Sequence, residues 1–394
     1  MGFDADYELI RNIALHRDPA FDAVNKADLE ASLRALEALT TTNNKDHFIL
    51  SAMKVLALAG NGHTRIIPNT ALSVVPYRFV ALGPHVFLTD APEIHSAHVD
   101  SQVLAINGAS VEIIFRAALP YLAGTHARHR VIFPIMLAWP DALSKLGFSS
   151  VQQDLAFAIK TPSGDLDEFT VPIRETIPAV SLYPTSEHGW PSANASPEYV
   201  TWRRPKSGVQ VVALKSFFDP EGKKLAAQIN EASTRVAQHP EDNLILDLRG
   251  NTGGDFTKSL PLLDMLQTKW RGTHCIALVD KFTFSAAIVC VALLSHNLKD
   301  CLTLMGEEMG DSLCFHAEGD TIRLPDSGAL LRYSDAFHDW ENGTSDQTTP
   351  ANIKDHLVKA GPLPHIQSIN ISAKERRHGP DPCMEAAMAI LANV

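Results

Sequence analysis

The chain has 394 residues. At about 100–200 residues per domain, that length predicts two or three domains. Apolar residues make up 45% and charged residues 20%, so a large core can be buried and global disorder is excluded. The net charge of −11, from 34 basic and 45 acidic residues, excludes a general nucleic-acid or anionic-membrane binder, because either needs a basic surface.

Met1 to Asp6 are polar and acidic, with no basic segment leading into an apolar one, and no apolar run approaches the ~20 residues of a spanning helix. The expectation is a soluble chain with no membrane span, although a form stripped of its leader reads the same way. The five cysteines, Cys275, Cys290, Cys301, Cys314 and Cys383, are odd in number and lack zinc-knuckle spacing. They read as buried thiols in a reducing compartment, which gives a cytoplasmic expectation.

Residues 1–64 predict a helical N-terminal segment. Leu33, Leu36 and Leu39 share one face, and residues 48–58 repeat apolar side chains at helical spacing. Thr40 to Asn44 supply cap residues between these helices. Residues 65–175 predict a β-rich domain with strands at 77–82, 85–88 and 102–106, a helix at 111–119, and a hairpin of 155–159 with 169–173. Asn107-Gly108 is a turn signal inside it. Prolines at 178, 184, 191, 197 and 205 mark a linker over 176–207. Residues 208–394 predict strands at 209–214, 243–248, 275–279 and 301–305 alternating with helices at 221–238, 256–267 and 286–294. Continuous apolar strands between helices indicate an α/β fold with a parallel sheet covered on both faces. Hairpins over 312–334 and a helix over 385–392 complete the reading.

Three places depart from plain scaffold. Leu246-Asp247-Leu248-Arg249-Gly250-Asn251-Thr252-Gly253-Gly254-Asp255 ends a buried strand in a Gly-rich loop before a helix. Such a loop can aim backbone N–H groups at an anion, or serve only as a tight turn. Ser285, in Lys281-Phe282-Thr283-Phe284-Ser285-Ala286-Ala287, starts an apolar helix. It reads as an N-cap, or as a nucleophile with Ala286 and Ala287 leaving room for a substrate. Gly60-Asn61-Gly62-His63-Thr64-Arg65 places a His on a Gly-rich corner, where an accessible imidazole can act as a base. His95 with His98, and His126 with His129, have helical spacing but no completing ligands, so no metal site is expected. Arg128, His129 and Arg130 read as a solvated or acidic-partner face.

Taken in order, Gly-His-Thr, Leu-Asp-Leu-Arg-Gly-Asn-x-Gly-Gly, Ser-Ala-Ala and Met305-Gly306-Glu307 resemble the C-terminal processing (tail-specific) serine peptidase family, in the branch that includes the tricorn protease core. Val103 to Gly108 resembles that family's PDZ-like peptide-binding module. The resemblance implies a crotonase-like (Clp-protease-like) catalytic core and peptide-bond hydrolysis without metal or cofactor. It assigns Ser285 as nucleophile, His63 as general base, and the N–H groups of Gly253 or Gly254 with Ala286 as oxyanion donors. The branch that uses a Lys base has no counterpart here, since 306–319 contain no Lys. Glu341 and Asp346 both fit the orienting carboxylate, because Thr348-Thr349-Pro350-Ala351-Asn352-Ile353 only loosely matches the family's segment. The implied partner is a peptide or unfolded protein; a homo-oligomer is left open. The same resemblance admits a non-catalytic binder of apolar ligands or peptides, and the same Ser and His admit a small-molecule esterase.

Overall fold

A computed structural model describes residues 2–392 except 68, 70, 151–152, 175, 180–197, 220–221, 223, 370, 372–374 and 376–379. The chain divides into two compact units. One comprises Met1–Tyr183 and His316–Ala336, and the other Pro184–Phe315 and Phe337–Val394.

In the first unit, helices Asp4–Asn12, Lys26–Glu37 and Lys45–Ala57 bury their apolar faces in one core with the sheet that follows. Asn25 and Asn44 stop the helices from fraying, since each side chain accepts N–H groups of the first turn. The sheet runs in the order Arg78–Leu82, His85–Asp90, Gln102–Ile106, Leu155–Lys160, Leu166–Val171, all antiparallel. Ser110 caps helix Val111–Ala118 through the Ile113 N–H. A helix also occupies His126–Leu137, capped by Thr125, in a region where strands dominate the sequence pattern. Its packing corrects the solvated-face reading of Arg128, which is only 3% exposed. The segment His316–Ala336 joins this unit through strand Leu330–Arg332, which lies between Arg65–Ile67 and Thr321–Arg323. The Asp6 carboxylate accepts the N–H groups of Asp326 and Ser327 and fixes the hairpin loop.

In the second unit, the predicted strand-helix alternation is present. The sheet order is Val200–Lys206, Val209–Leu214, Asn243–Asp247, Cys275–Val279, Leu302–Gly306, Gln367–Ser368. The first pair is antiparallel and the rest are parallel. Part of the expected linker is therefore strand. Val200–Lys206 lies at the sheet edge, where Pro205 sits beside a register shift and removes no central ladder bond. Most of the rest of that stretch lies outside the described residues. Helix Ala286–Leu298 is apolar on all sides because almost every residue in it is buried. Cys275, Cys290 and Cys383 are buried as expected, and burial pushes the Cys290 thiol up to about 12. Cys314 is exposed, contrary to that reading.

The C-terminal helix Pro382–Ile390 packs against the central strands and is tied to the Gly-rich loop by charge. Buried Arg249 forms a two-pronged pair with Asp247 at 2.9 and 2.7 Å and a second with Asp381 at 2.9 and 2.6 Å. Asp381 also caps the helix through the Met384 N–H. Burial pushes the Arg249 pKa down, but the two carboxylates outweigh it and the net shift is upward. Arg249→Met leaves two buried carboxylates unpaired and should cost about 3–5 kcal/mol in urea unfolding. A loss below about 1 kcal/mol would show that the triad is not what fixes the helix.

Candidate active site

Strands Asn243–Asp247 and Cys275–Val279 are parallel neighbours, so their carboxyl ends release two loops side by side. One is the Gly-rich loop and the other leads to Ser285. Asn251 joins them from a fully buried position. Its side chain donates to Leu214 O and accepts the Gly253 N–H, both at 2.9 Å, and its carbonyl accepts the Phe284 N–H at 3.1 Å.

Ser285 occupies the N-cap position of helix Ala286–Leu298 but makes no side-chain cap hydrogen bond. Its backbone lies at φ 56 and ψ −124. That region belongs almost entirely to glycine and costs a side-chain-bearing residue about 1–3 kcal/mol. An N-cap serine instead takes extended backbone angles and accepts an N–H group of the first turn. The N-cap alternative therefore lacks both its hydrogen bond and its geometry.

The glycines answer to close approaches. A Cβ on Gly253 would lie 2.7 Å from the Ser285 Cβ and 2.8 Å from Phe284 O, and one on Gly254 would collide with the Phe217 carbonyl. The Gly253 N–H is committed to Asn251, whereas the N–H groups of Gly254 and Ala286 donate to no described residue.

Of the carboxylate candidates, Asp346 is engaged locally. It accepts both the N–H and hydroxyl of Thr348 and the Thr349 N–H. Slight burial raises its pKa, and these hydrogen bonds outweigh it to give a net downward shift. Glu341 is exposed and its carboxylate bonds to no described residue.

His63 belongs to the first unit, and Ser285, Gly253, Gly254, Ala286, Glu341 and Asp346 to the second. The imidazole is 3% exposed, which corrects the accessible-corner reading. Its turn is seated by backbone contact and a buried polar network. A Cβ on Gly124 would lie 2.9 Å from the Gly62 Cα, so these two glycine backbones nearly touch. Asn61 donates to Thr64 Oγ1 at 3.0 Å and Ser334 Oγ at 2.9 Å. Thr64 donates to Asp18 Oδ2 at 2.6 Å, which also accepts the Ser334 N–H at 3.0 Å. Burial raises the Asp18 pKa against these hydrogen bonds. Asp18 escapes a sequence reading because it looks like an ordinary cap residue, and Asn251, though part of the Gly-rich motif, gives no sign there of bridging two loops. Among the described residues, no group of three or more His, Cys, Asp or Glu side chains could hold a metal ion.

No protein-family model matches the sequence, and no curated protein does. Solved structures do. Mature CPAF superposes with a TM-score of 0.60 at 13% identity, covering 98% of this chain and 95% of its own. Mature CPAF complexed with lactacystin gives 0.59 at 14% identity, with coverages of 98% and 96%. A serine-to-alanine variant of CPAF gives 0.59 at 14%, with coverages of 98% and 95%. The chain has the CPAF fold. Its similarity to CPAF spans nearly the whole of both chains and so includes both units.

The backbone at Ser285 yields a stability test. Ser285→Gly relieves the strain and should be more stable than Ser285→Ala by about 1 kcal/mol, even after glycine's greater unfolded-state entropy. Thermal unfolding of the two variants measures this, and Ala matching or exceeding Gly would rule out strain at this turn.

Proposed function

We propose that this chain is a serine peptidase of the C-terminal processing kind, hydrolysing peptide bonds through an acyl-enzyme on Ser285. The observation that carries the reading is the strained, uncapped Ser285 packed against Gly253 in a chain with the CPAF fold. In this reading the second unit's sheet is a crotonase-like core and the sheet of 78–171 a PDZ-like module. The substrate is a peptide or an unfolded chain end.

The chemistry follows from acyl transfer. Ser285 Oγ attacks the scissile carbonyl while His63 takes its proton. The tetrahedral oxyanion is held by the Gly254 and Ala286 N–H groups, in preference to Gly253, whose N–H already has an acceptor. Glu341 is favoured over Asp346 as the orienting carboxylate, since the Asp346 oxygen is committed to its own turn. His63 then returns the proton to the leaving amine, and water releases the acyl group from Ser285.

A fluorophosphonate probe tests this directly. Wild type should be labelled on one serine, Ser285→Ala should not be labelled, and His63→Ala should label about 10²–10⁴-fold more slowly. Lactacystin, bound by CPAF in one of those structures, serves as a competitor in the same assay. Labelling that survives in Ser285→Ala would overturn the assignment, and cleavage of esters but not of any peptide in a library would replace peptidase by esterase.

A further inference from the structure

Resting on the reading of Ser285 as nucleophile, we propose that Asp280 is a positioning residue that clamps the oxyanion loop to the nucleophile turn. Asp280 follows strand Cys275–Val279 and is 9% exposed. Its Oδ1 accepts the N–H groups of Phe282 at 2.9 Å and Thr283 at 3.0 Å, three and two residues before Ser285. The Gly250 N–H, at the head of the Gly-rich loop, points at both carboxylate oxygens, 3.1 Å from Oδ1 and 3.2 Å from Oδ2. Thr283 completes the clamp. Its hydroxyl accepts the Asp280 N–H and donates to Leu248 O, both at 3.0 Å. One carboxylate thus spans the two segments whose relative placement acyl transfer requires.

Stabilisation alone does not explain this carboxylate. Burial pushes its pKa up, with Glu307 adding to that, against the opposing pull of Lys281, Arg249 and the Gly250 N–H. A carboxyl group is kept at a site that disfavours its charge, and what it delivers there is three aimed backbone N–H groups. Lys281 is itself held by Glu307 at 2.7 Å, so it does not act as a second clamp on the loop.

Asp280→Asn separates the two functions of the side chain. With its carbonyl in the Oδ1 position, Asn keeps the bonds to Phe282 and Thr283 but turns an NH₂ donor toward the Gly250 N–H in place of Oδ2. The expected result is a kcat, and a fluorophosphonate labelling rate, reduced by about 10- to 100-fold. KM should stay within about twofold and the melting temperature should not fall, because a neutral amide is less costly to bury than an ionisable carboxyl and this offsets the weakened bond. Amide exchange gives a readout independent of chemistry: it should speed up over residues 250–254 and stay slow over 243–247. Wild-type rates in a folded Asp280→Asn protein, unchanged exchange at 250–254, or a rate loss matched by a general loss of stability would each overturn the clamp. Faster exchange at 250–254 beside a wild type that takes up no probe would retain the clamp and refute the peptidase reading.

Discussion

Two parallel strands end side by side at Asp247 and Val279, and the backbone groups released there are buried away from water. Each such group must find an acceptor or donor inside the protein or cost about as much as a lost hydrogen bond. The second unit meets that constraint with a small set of buried polar side chains. Asn251 and Asp280 between them engage Leu214, Gly250, Gly253, Phe282, Thr283 and Phe284. Leu214 ends a third strand, so three strand ends and two loops share one network. The position of Ser285 follows from that network and does not rest on the helix it begins.

Such a network permits strain. A lone residue at φ 56 would relax if its neighbours could move, but Phe284 is bonded to Asn251 and Ser285 lies against Gly253. The glycines then become obligatory for steric reasons, because the space a Cβ would need is occupied by Ser285 on one side and Phe217 on the other. The Arg249 triad fixes the loop from behind, at the C-terminal helix. In the first unit the same logic applies to the His63 turn, where Asp18, Asn61, Thr64 and Ser334 form a buried polar cluster. Both candidate catalytic segments are thus held by buried hydrogen bonds on rigid elements, the condition for precise placement of reacting groups.

Much of this was legible in the sequence where periodicity is strong. Strands 209–214 and 275–279 fall at their predicted residues, and the apolar run from Ala286 announces a buried helix. Helix His126–Leu137 was not legible, because Arg128-His129-Arg130 and Pro134 interrupt its apolar stripe. Nor was the pairing of Leu330–Arg332 with Arg65–Ile67, since its register depends on a partner more than 250 residues away. At the site, residue types and order pointed to Ser285, His63 and the glycines. The discriminating features are conformational: the backbone angle at Ser285, the Gly253 N–H already taken by Asn251, and the burial of His63. None of these has a compositional signature, because Ser before an apolar helix is also the commonest cap.

The most direct measurement is a crystal structure of the fluorophosphonate adduct. The phosphonyl group on Ser285 Oγ stands in for the tetrahedral intermediate, with its oxygen in the place of the oxyanion. The expected result is that oxygen within about 2.7–3.1 Å of both the Gly254 and Ala286 nitrogens. An adduct on another residue, or a phosphonyl oxygen turned away from both N–H groups, would contradict the proposed site.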